Sequence, residues 1–318
     1  MDPITHGVIG LAISAFNGEP VSLMNPVSIG CAIGAMAPDI DVVVRLFKDD
    51  FHYLKHHRGL SHSIPSLLVL AGIITLGVGR VFADTNYLSI FIWTFLGAFS
   101  HTFFDILNSY GAKLLAPFTH KKLKASLLML YDPVITILCL MLIFKRSISN
   151  TFLISVSVTF IIYIAFRYGM RKRAERIAYK HYNNGYKLIK VNVLPALMAF
   201  HKWDFVVDTN SHNIVGQVNI INKKIIVREK FKKPKDEIVE LFNNTNVGKY
   251  FNDFSPTLHI DYSEEMGNLV LKIIDLRYYL KDNFMHHATV VFDEQRNIIE
   301  SFFQPYDINK YIPVAEDI

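Results

Sequence analysis

Residues 87–108, YLSIFIWTFLGAFSHTFFDILN, are the stretch that decides the fold. The segment is long and apolar enough to reach the roughly 20 residues that an α-helix needs to cross the hydrocarbon core of a membrane. Ionisable residues are costly in such a helix, and by default they mark a functional site. His101 and Asp105 stand four positions apart in its last turns, so they project from one helix face. The stretch therefore predicts a membrane helix with a polar site at one end.

Five more apolar segments accompany this helix. The chain has 318 residues, of which 51% are hydrophobic. Its mean hydropathy of +0.25 is too high for an ordinary soluble domain of this size. Most of the apolar excess lies before Arg167. The sequence predicts an all-α membrane bundle of about six helices, the first two short, over approximately residues 4–16, 26–37, 64–82, 87–108, 133–146 and 151–168.

Small residues in the second helix predict how the bundle packs. Asn25 and Pro26 form a helix start and Pro38 a helix stop, and GCAIG at 30–34 lets another helix approach closely.

The two cysteines of the chain both fall in apolar runs. We therefore expect packed core thiols and no disulfide framework.

Lysine and arginine are distributed unequally between the two sides of the predicted bundle. Six helices threaded in alternation place the N-terminus, the loops 38–62 and 109–131, and the C-terminal part on one side. Because basic residues accumulate on the cytoplasmic side, we expect a multi-pass protein of the inner (cytoplasmic) membrane with a cytoplasmic C-terminal part. That side carries thirteen basic residues against three, namely Arg45, Lys48, Lys55, Arg58, Lys113, Lys121, Lys122, Lys124, Arg167, Arg171, Lys172, Arg173 and Arg176 against Arg80, Lys145 and Arg146.

Histidines and aspartates of the helix ends meet on this same side. Each alone has a structural explanation: Asp39 after Pro38 can begin a turn, and His101 with Asp105 can form a hydrogen-bonded pair. Together, three imidazoles and three carboxylates from four helices are hard to satisfy as separate buried polar groups, whereas a shared cation satisfies all of them. The predicted metal ligands are His6, Asp39, Asp41, His62, His101 and Asp105.

The ligand types narrow the ion and the chemistry. Histidine and aspartate without cysteine are typical of Zn²⁺, with Mn²⁺ or Fe²⁺ as alternatives, and not of Ca²⁺ or a thiolate zinc site. Six candidate ligands exceed the four of one closed site, which allows either one ion or a two-metal cluster bridged by an aspartate. Such clusters activate water and hold both oxygens of a displacement, so they indicate hydrolysis. Asp41, or Asp39, is the candidate to orient the water and act as general base.

The segment HHRGLSHS, residues 56–63, supplies three histidines and an arginine at the start of the third helix. His62 is best placed to bind metal, whereas His56 and His57 are candidates to ligate, to orient a carboxylate or to lie at the interface. Arg58 is a candidate catalytic residue that contacts an anionic substrate, with lipid headgroups as the alternative. Asp132, in YDP at the start of the fifth helix, is a further candidate to orient a ligand.

Four segments carry a resemblance to a known family: MDPITHGVIG, APDIDVV, HHRGLSHS and SHTFFDILNSYG. They look like the signature segments of the bacterial inner-membrane, metal-dependent hydrolase-like family, which includes LexA-regulated members. The resemblance covers roughly residues 1–140 and implies a hydrolase with the six predicted ligands at its metal centre. The order Asp, His, His-x-x-x-Asp is also similar, more distantly, to the zinc-dependent phospholipase C and P1 nuclease group. The later His and His-x-x-x-Glu ligands of that group lack a convincing counterpart here.

The C-terminal part has the composition of a soluble fold. The sequence predicts three parts: a membrane domain over 1–169, an amphipathic connector over 170–200 and a cytoplasmic α+β domain over 201–318. Alternation predicts a mainly antiparallel sheet with strands at approximately 203–209, 214–221, 224–230, 257–263, 268–276, 286–293 and 297–303. The segment PKDEIVELFNN predicts a helix between the strands at 224–230 and 257–263. The histidines of this part share no spacing, which indicates structural or surface roles.

The whole chain predicts a metal-dependent membrane hydrolase at the cytoplasmic lipid interface. Its expected substrate is a membrane lipid or another amphiphile, most simply a phospholipid-like ester. The alternative is a non-enzymatic, metal-stabilised scaffold or sensor that binds a protein partner through its C-terminal domain. A transporter is a weaker third reading, because the charged groups crowd one interface and form no path across the membrane. Nothing in the sequence indicates nucleic-acid recognition, and the oligomeric state stays open.

Overall fold

The computed structural model describes residues 2–43, 59–82, 86–119, 121–197, 199–255, 257–280 and 283–316, with the side chains of 41–43 left out. The described residues up to Met170 form one compact unit, and those from Arg171 onward form a second. The first unit is helical, and the second consists mainly of antiparallel strands. These two parts confirm the predicted order of a helical part followed by a domain with a mainly antiparallel sheet.

Helices lie at all six predicted places, the first five within the first unit and the sixth continuing beyond Met170. They are α1 (Pro3–Ser14), α2 (Pro26–Met36), α3 (Ile64–Val81), α4 (Tyr87–Leu107), α5 (Pro133–Phe144) and α6 (Asn150–Tyr182). Asp2 caps α1, and Asn25 caps α2 as the sequence predicts, each accepting hydrogen bonds from two backbone N–H groups of the first turn. By length and composition α3, α4 and α6 are able to cross a membrane, whereas α2 and α5 are shorter apolar helices.

Small residues let α2 and α4 pack at very short range, as GCAIG predicts. A Cβ added at Gly34 would lie 2.3 Å from the Thr94 carbonyl oxygen, and one added at Gly97 would lie 2.1 Å from the Cys31 carbonyl oxygen. Such distances exclude any larger side chain without a backbone shift. Helix α4 is also the most buried of the three long apolar helices. In its most apolar 18-residue stretch 56% of the residues are buried, against 28% for α3. The helix that carries His101 and Asp105 therefore lies at the centre of the first unit.

Helix α6 differs from the prediction. The sequence predicts a membrane helix to about residue 168 and a separate connector, but α6 runs unbroken from Asn150 to Tyr182. At about 1.5 Å per residue it is about 50 Å long, well beyond a hydrocarbon core of about 30 Å. The basic stretch after Arg171 contains neither proline nor glycine, so the helix stops only at the Asn183, Asn184 and Gly185 turn.

The second unit contains two antiparallel sheets and two short helices. Strands β1 (Leu188–Pro195), β2 (Lys202–Thr209), β3 (His212–Asn219) and β4 (Ile225–Lys232) form a sheet in chain order. A second sheet has the order β11-β10-β9-β6-β5, and the short β7 and β8 pair with each other. The remaining elements of the second unit are α7 (Asp236–Asn244), α8 (Asn246–Phe254), β5 (Leu258–Glu265), β6 (Asn268–Asp275), β7 (Tyr279–Leu280), β8 (Asn283–Phe284), β9 (His286–Phe292), β10 (Ile298–Pro305) and β11 (Ile312–Pro313).

The core of this unit lies between the helices and the second sheet. Phe242 of α7 and Phe251 of α8 are fully buried in one apolar cluster with Leu271 of β6 and Phe303 of β10. The seven predicted strands match β2 to β6, β9 and β10. Strands β5, β6, β9 and β10 pack one face on this core, whereas Val206 of β2 and Val215 of β3 belong to a separate apolar cluster. Strand β1 lies within the predicted connector, and α8 was not predicted.

Candidate metal centre

Four buried side chains of the first unit converge on one point. Asp39, His62, His101 and Asp105 each offer one ligand atom, and these atoms all lie within 4.8 Å of one another. The two histidines and Asp105 are fully buried, and Asp39 is 5% exposed. The four residues come from three separate stretches of sequence, so the cluster exists only in the folded protein.

Each stretch has a local reason to deliver its side chain. Helix α2 gives way at Pro38 to a 3₁₀ turn, Ala37–Val43, that carries Asp39. A second 3₁₀ turn, Leu60–His62, ends at the extended Ser63 immediately before α3 and carries His62. His101 and Asp105 stand on one face of α4, as their spacing predicts. The cluster therefore lies where two helix termini meet the last turns of a third helix.

The distances between the ligand atoms fit a single cation. His62 Nε2 lies 3.1 Å from His101 Nε2. Asp39 Oδ1 lies 3.7 Å from His62 Nε2 and 3.4 Å from His101 Nε2. Asp105 Oδ2 lies 3.6 Å and 3.7 Å from the same two nitrogens. Ligands about 2.0–2.1 Å from a tetrahedral zinc ion lie about 3.3 Å from each other, so the cluster has the dimensions of a tetrahedral site.

Hydrogen bonds at the outer ring nitrogens orient the two histidines. His101 Nδ1 lies 2.7 Å from the Ala35 carbonyl oxygen. Because a carbonyl only accepts, Nδ1 must carry the proton, which leaves the Nε2 lone pair directed at the cluster. His62 Nδ1 lies 2.9 Å from the Ser61 hydroxyl, and Thr102 donates to the His62 carbonyl at 3.3 Å. These bonds hold both imidazole rings with Nε2 directed at the cluster.

The electrostatics of the cluster also favour a cation. Burial lowers the pKa of His62 to about 4, so its ring is neutral at pH 7. His62 Nε2 and His101 Nε2 lie 3.1 Å apart, so in the absence of a cation they share at most one proton. The carboxylates of Asp39 and Asp105 add negative charge to the same buried volume. A divalent cation compensates all four groups at once.

His6 extends the cluster on one side. Its ring is fully buried and stacks on that of His101, with the centroids 3.7 Å apart. Its Nε2 lies 3.4 Å from Asp105 Oδ1, the oxygen that does not face His62 and His101. Neither ring nitrogen of His6 makes a hydrogen bond with the described residues. Asp105 therefore directs one oxygen toward the four-residue cluster and the other toward His6.

The remaining predicted site residues divide into two groups. His56, His57 and Arg58 lie outside the described residues, as does the side chain of Asp41. Asp132 is described and has other partners. It caps α5 by accepting from the backbone N–H groups of the first turn, and Tyr163 of α6 donates to its Oδ2 at 2.6 Å. These contacts assign Asp132 the structural work of capping α5 and tying it to α6.

The groups that orient the ligands were missed by sequence reasoning. The Ala35 carbonyl is a backbone atom and leaves no trace in the sequence. Ser61 and Thr102 adjoin predicted ligands, and that adjacency is the only signal that could have pointed to them. Asn108 was also missed: it is 3% exposed and stands seven positions after His101 at the end of α4.

Comparisons with known proteins place the site in a family context. Residues 1–174 match the family model described as YdjM inner membrane protein. Residues 237–311, which span α7 to β10, match the model described as YfhP C-terminal alpha/beta plait domain. The uncharacterized protein YfhP of Bacillus subtilis (strain 168) is 26% identical over 314 residues, covering 95% of this chain and 94% of that protein. No solved structure matches the chain.

Proposed function

The chain belongs to the YdjM inner membrane protein family, and from this membership and the buried cluster we propose that it is a metal-dependent membrane hydrolase. One observation carries the proposal: four ligand atoms from separate stretches lie within 4.8 Å of one another in a buried volume. Such a site holds a divalent cation at the fixed distances that hydrolytic chemistry needs. A bound ion there supplies Lewis-acid activation of water and of a substrate oxygen.

The protein residues have distinct roles in this proposal. His62 and His101 hold the ion through Nε2, and the Ala35 carbonyl keeps His101 in the required tautomer. Asp39 orients the attacking water, with Asp41 as the candidate general base that accepts its proton. Zn²⁺ suits this ligand set best, and Mn²⁺ or Fe²⁺ are the alternatives.

Asp105 is the residue that joins two ions if the centre contains two. Its Oδ2 faces His62 and His101, and its Oδ1 faces His6. If the centre held two ions, a carboxylate whose two oxygens face different ligands would be able to contact both, as in two-metal hydrolytic sites. His6 would then be the first ligand of the second ion. Among the described aspartates, these distances support Asp105 as the bridge.

The proposed substrate is a lipid or another amphiphile of the cytoplasmic membrane surface, such as a phospholipid-like ester. The metal cluster lies at the ends of α2, α3 and α4, where hydrocarbon gives way to headgroups if these helices cross the bilayer. The excess of lysine and arginine in the loops on that side supports a multi-pass topology with the C-terminal domain in the cytoplasm. Arg58 is the candidate contact for an anionic headgroup.

A metal-stabilised scaffold or sensor is the second candidate function, and the ligand count favours it. Asp39, His62, His101 and Asp105 complete the four positions of a closed structural site, whereas catalytic sites keep one position for water. In this alternative the ion ties the ends of three helices together, and the C-terminal domain binds a protein partner.

The test combines metal analysis with a lipid panel. We expect detergent-purified protein to contain a divalent metal and to hydrolyse at least one phospholipid-like ester. His101→Ala should lose both properties and still insert into the membrane, because α4 keeps its apolar length. His259→Ala in the C-terminal domain should keep both. A metal-loaded parent that hydrolyses nothing across a broad panel would support the scaffold, and full metal content in His101→Ala would contradict the metal centre itself.

A further inference from the structure

Asn108 lies on the ligand-bearing face of α4, one turn beyond Asp105. Its backbone N–H bonds to the Phe104 carbonyl at 3.1 Å, so the helical register extends to this residue. Positions 101, 105 and 108 are spaced i, i+4 and i+7, which places them on one face of the helix. Helical Cα–Cβ bonds tilt toward the N-terminus, so the Asn108 side chain starts back over the turn that holds Asp105. Asn108 therefore stands on the helix face that carries both ligands.

The Asn108 amide has a donor with no acceptor. Its Oδ1 accepts from the Ser109 N–H at 2.5 Å. Its Nδ2 is buried and makes no hydrogen bond with any residue that the structure describes. Leaving a buried N–H₂ group without a partner is costly, because the group gives up its hydrogen bonds to water. A fold tolerates this cost most readily where a ligand supplies the acceptor.

Helix capping does not explain the residue. The last carbonyls of α4 already accept hydrogen bonds from the returning loop: Ala125 N–H donates to Ile106 at 2.7 Å, Leu127 N–H to Leu107 at 2.8 Å, and Ser126 N–H to Asn108 at 3.2 Å. These bonds hold the end of α4 in place without the side chain. The amide nitrogen is therefore buried at a position where it makes no hydrogen bond to any described part of the chain.

We propose that Asn108 Nδ2 donates a hydrogen bond to an oxygen of a phosphate-type oxyanion bound at the metal cluster, so that Asn108 is a substrate-positioning residue. The inference rests on the proposed function, because it needs an ion at Asp39, His62, His101 and Asp105 to bring the oxyanion there. An amide donor next to a cation suits a tetrahedral oxyanion, since the ion takes one oxygen and the amide fixes the direction of another.

The experiment separates metal binding from oxyanion binding. Full-length protein in detergent is loaded with Mn²⁺ and titrated with inorganic phosphate, and the dissociation constant is measured by calorimetry. Asn108→Ala should bind Mn²⁺ with the stoichiometry and affinity of the parent, while its phosphate dissociation constant rises at least about ten-fold, the effect of one hydrogen bond to a charged group. The isosteric Asn108→Asp, which faces the anion with a carboxylate, should bind phosphate even more weakly.

Asn86→Ala is the matched control. Asn86 caps the opposite end of α4, where its side chain accepts from the Ser89 N–H at 3.2 Å, so this substitution should leave phosphate binding unchanged. Equal phosphate affinity in parent and Asn108→Ala would overturn the inference, and so would a parallel loss of metal and phosphate, which marks a structural role. A metal-loaded parent that binds no phosphate would overturn it as well. A parent that binds no metal would instead overturn the proposed function.

Discussion

Replacing Asp105 with asparagine distinguishes a metal centre from a buried network of ion pairs. Asp105 is fully buried with one oxygen 3.4 Å from His6 Nε2 and the other 3.6 Å from His62 Nε2. If protonated histidines paired with this carboxylate, its removal would leave a buried cation and cost about 3–5 kcal/mol. If the histidines are neutral and await a metal, asparagine removes one of two close negative charges. The metal-free variant should then be at least as stable as the metal-free parent.

The metal-loaded protein should respond in the opposite direction. A ligand that binds only the folded state at 100 times its dissociation constant stabilises that state by about 2.7 kcal/mol. In a unit of this size, each kcal/mol of added stability raises the unfolding midpoint by about 2–4 °C. The metal should therefore raise the midpoint of the parent by roughly 5–11 °C. Asp105→Asn lacks one ligand charge and should show little or no rise at the same metal concentration.

Thermal unfolding in detergent, with EDTA and then with Zn²⁺ or Mn²⁺, measures both quantities. Asp132→Asn is the matched control, because Asp132 is also a buried aspartate of the first unit but bonds to Tyr163 and to the start of α5. It should lose stability in both conditions and keep the metal-dependent rise. A large loss of stability in metal-free Asp105→Asn, or an undiminished metal-dependent rise in it, would refute the reasoning.

Three further predictions concern topology, catalysis and pH. A reporter fused after Ile318 should behave as cytoplasmic and one inserted between Asn17 and Gly18 as external; reversed accessibility would contradict the topology. In Asp41→Asn, saturated with metal and checked for occupancy, hydrolysis should fall much further than metal content; equal activity at equal occupancy would remove Asp41 from catalysis. Burial lowers the pKa of His259 and His286 from 6.5 to about 4. The folded C-terminal domain thus binds fewer protons than the unfolded chain below pH 6.5, and each histidine should cost about 1.4 kcal/mol of stability per pH unit down to about 4. Hydrogen-exchange protection of β5 and β9 should fall from pH 7 to 5, and constant protection would be the contrary result.

Most helices and strands could be predicted from the sequence where the hydrophobic pattern and the residues at the ends of a segment indicated the same element. The apolar segments that became α3, α4 and α5 have clear ends, and Asn25 with Pro26 begins α2 as predicted. Seven strands followed from alternation, since one face of each packs on a core. Strand β1 was not predicted. Its first residues, Leu188–Lys190, are half-buried or exposed, so they do not alternate between buried and exposed positions as a strand with one buried face does. Helix α8 was missed although its buried residues Val247, Tyr250, Phe251 and Phe254 recur at helical spacing in the sequence.

The candidate metal centre shows the same division. Ionisable side chains are energetically costly in membrane segments, so the histidines and aspartates of the centre stood out in the sequence. The spacing of His101 and Asp105 placed these two residues on one helix face. The start of α5 at Asp132 and Pro133 was visible in the sequence, but sequence alone could not show that Asp132 bonds to Tyr163, because that contact joins residues 31 positions apart. It also could not show which oxygen of Asp105 faces His6, or that the Ala35 carbonyl fixes the tautomer of His101. Residue types and helical periodicity determine which groups are available. The directions of their ring nitrogens and carboxylate oxygens were decided only by the packing of α2, α3 and α4 against one another. The buried amide of Asn108, which has no acceptor among the described residues, is likewise visible only in the folded chain.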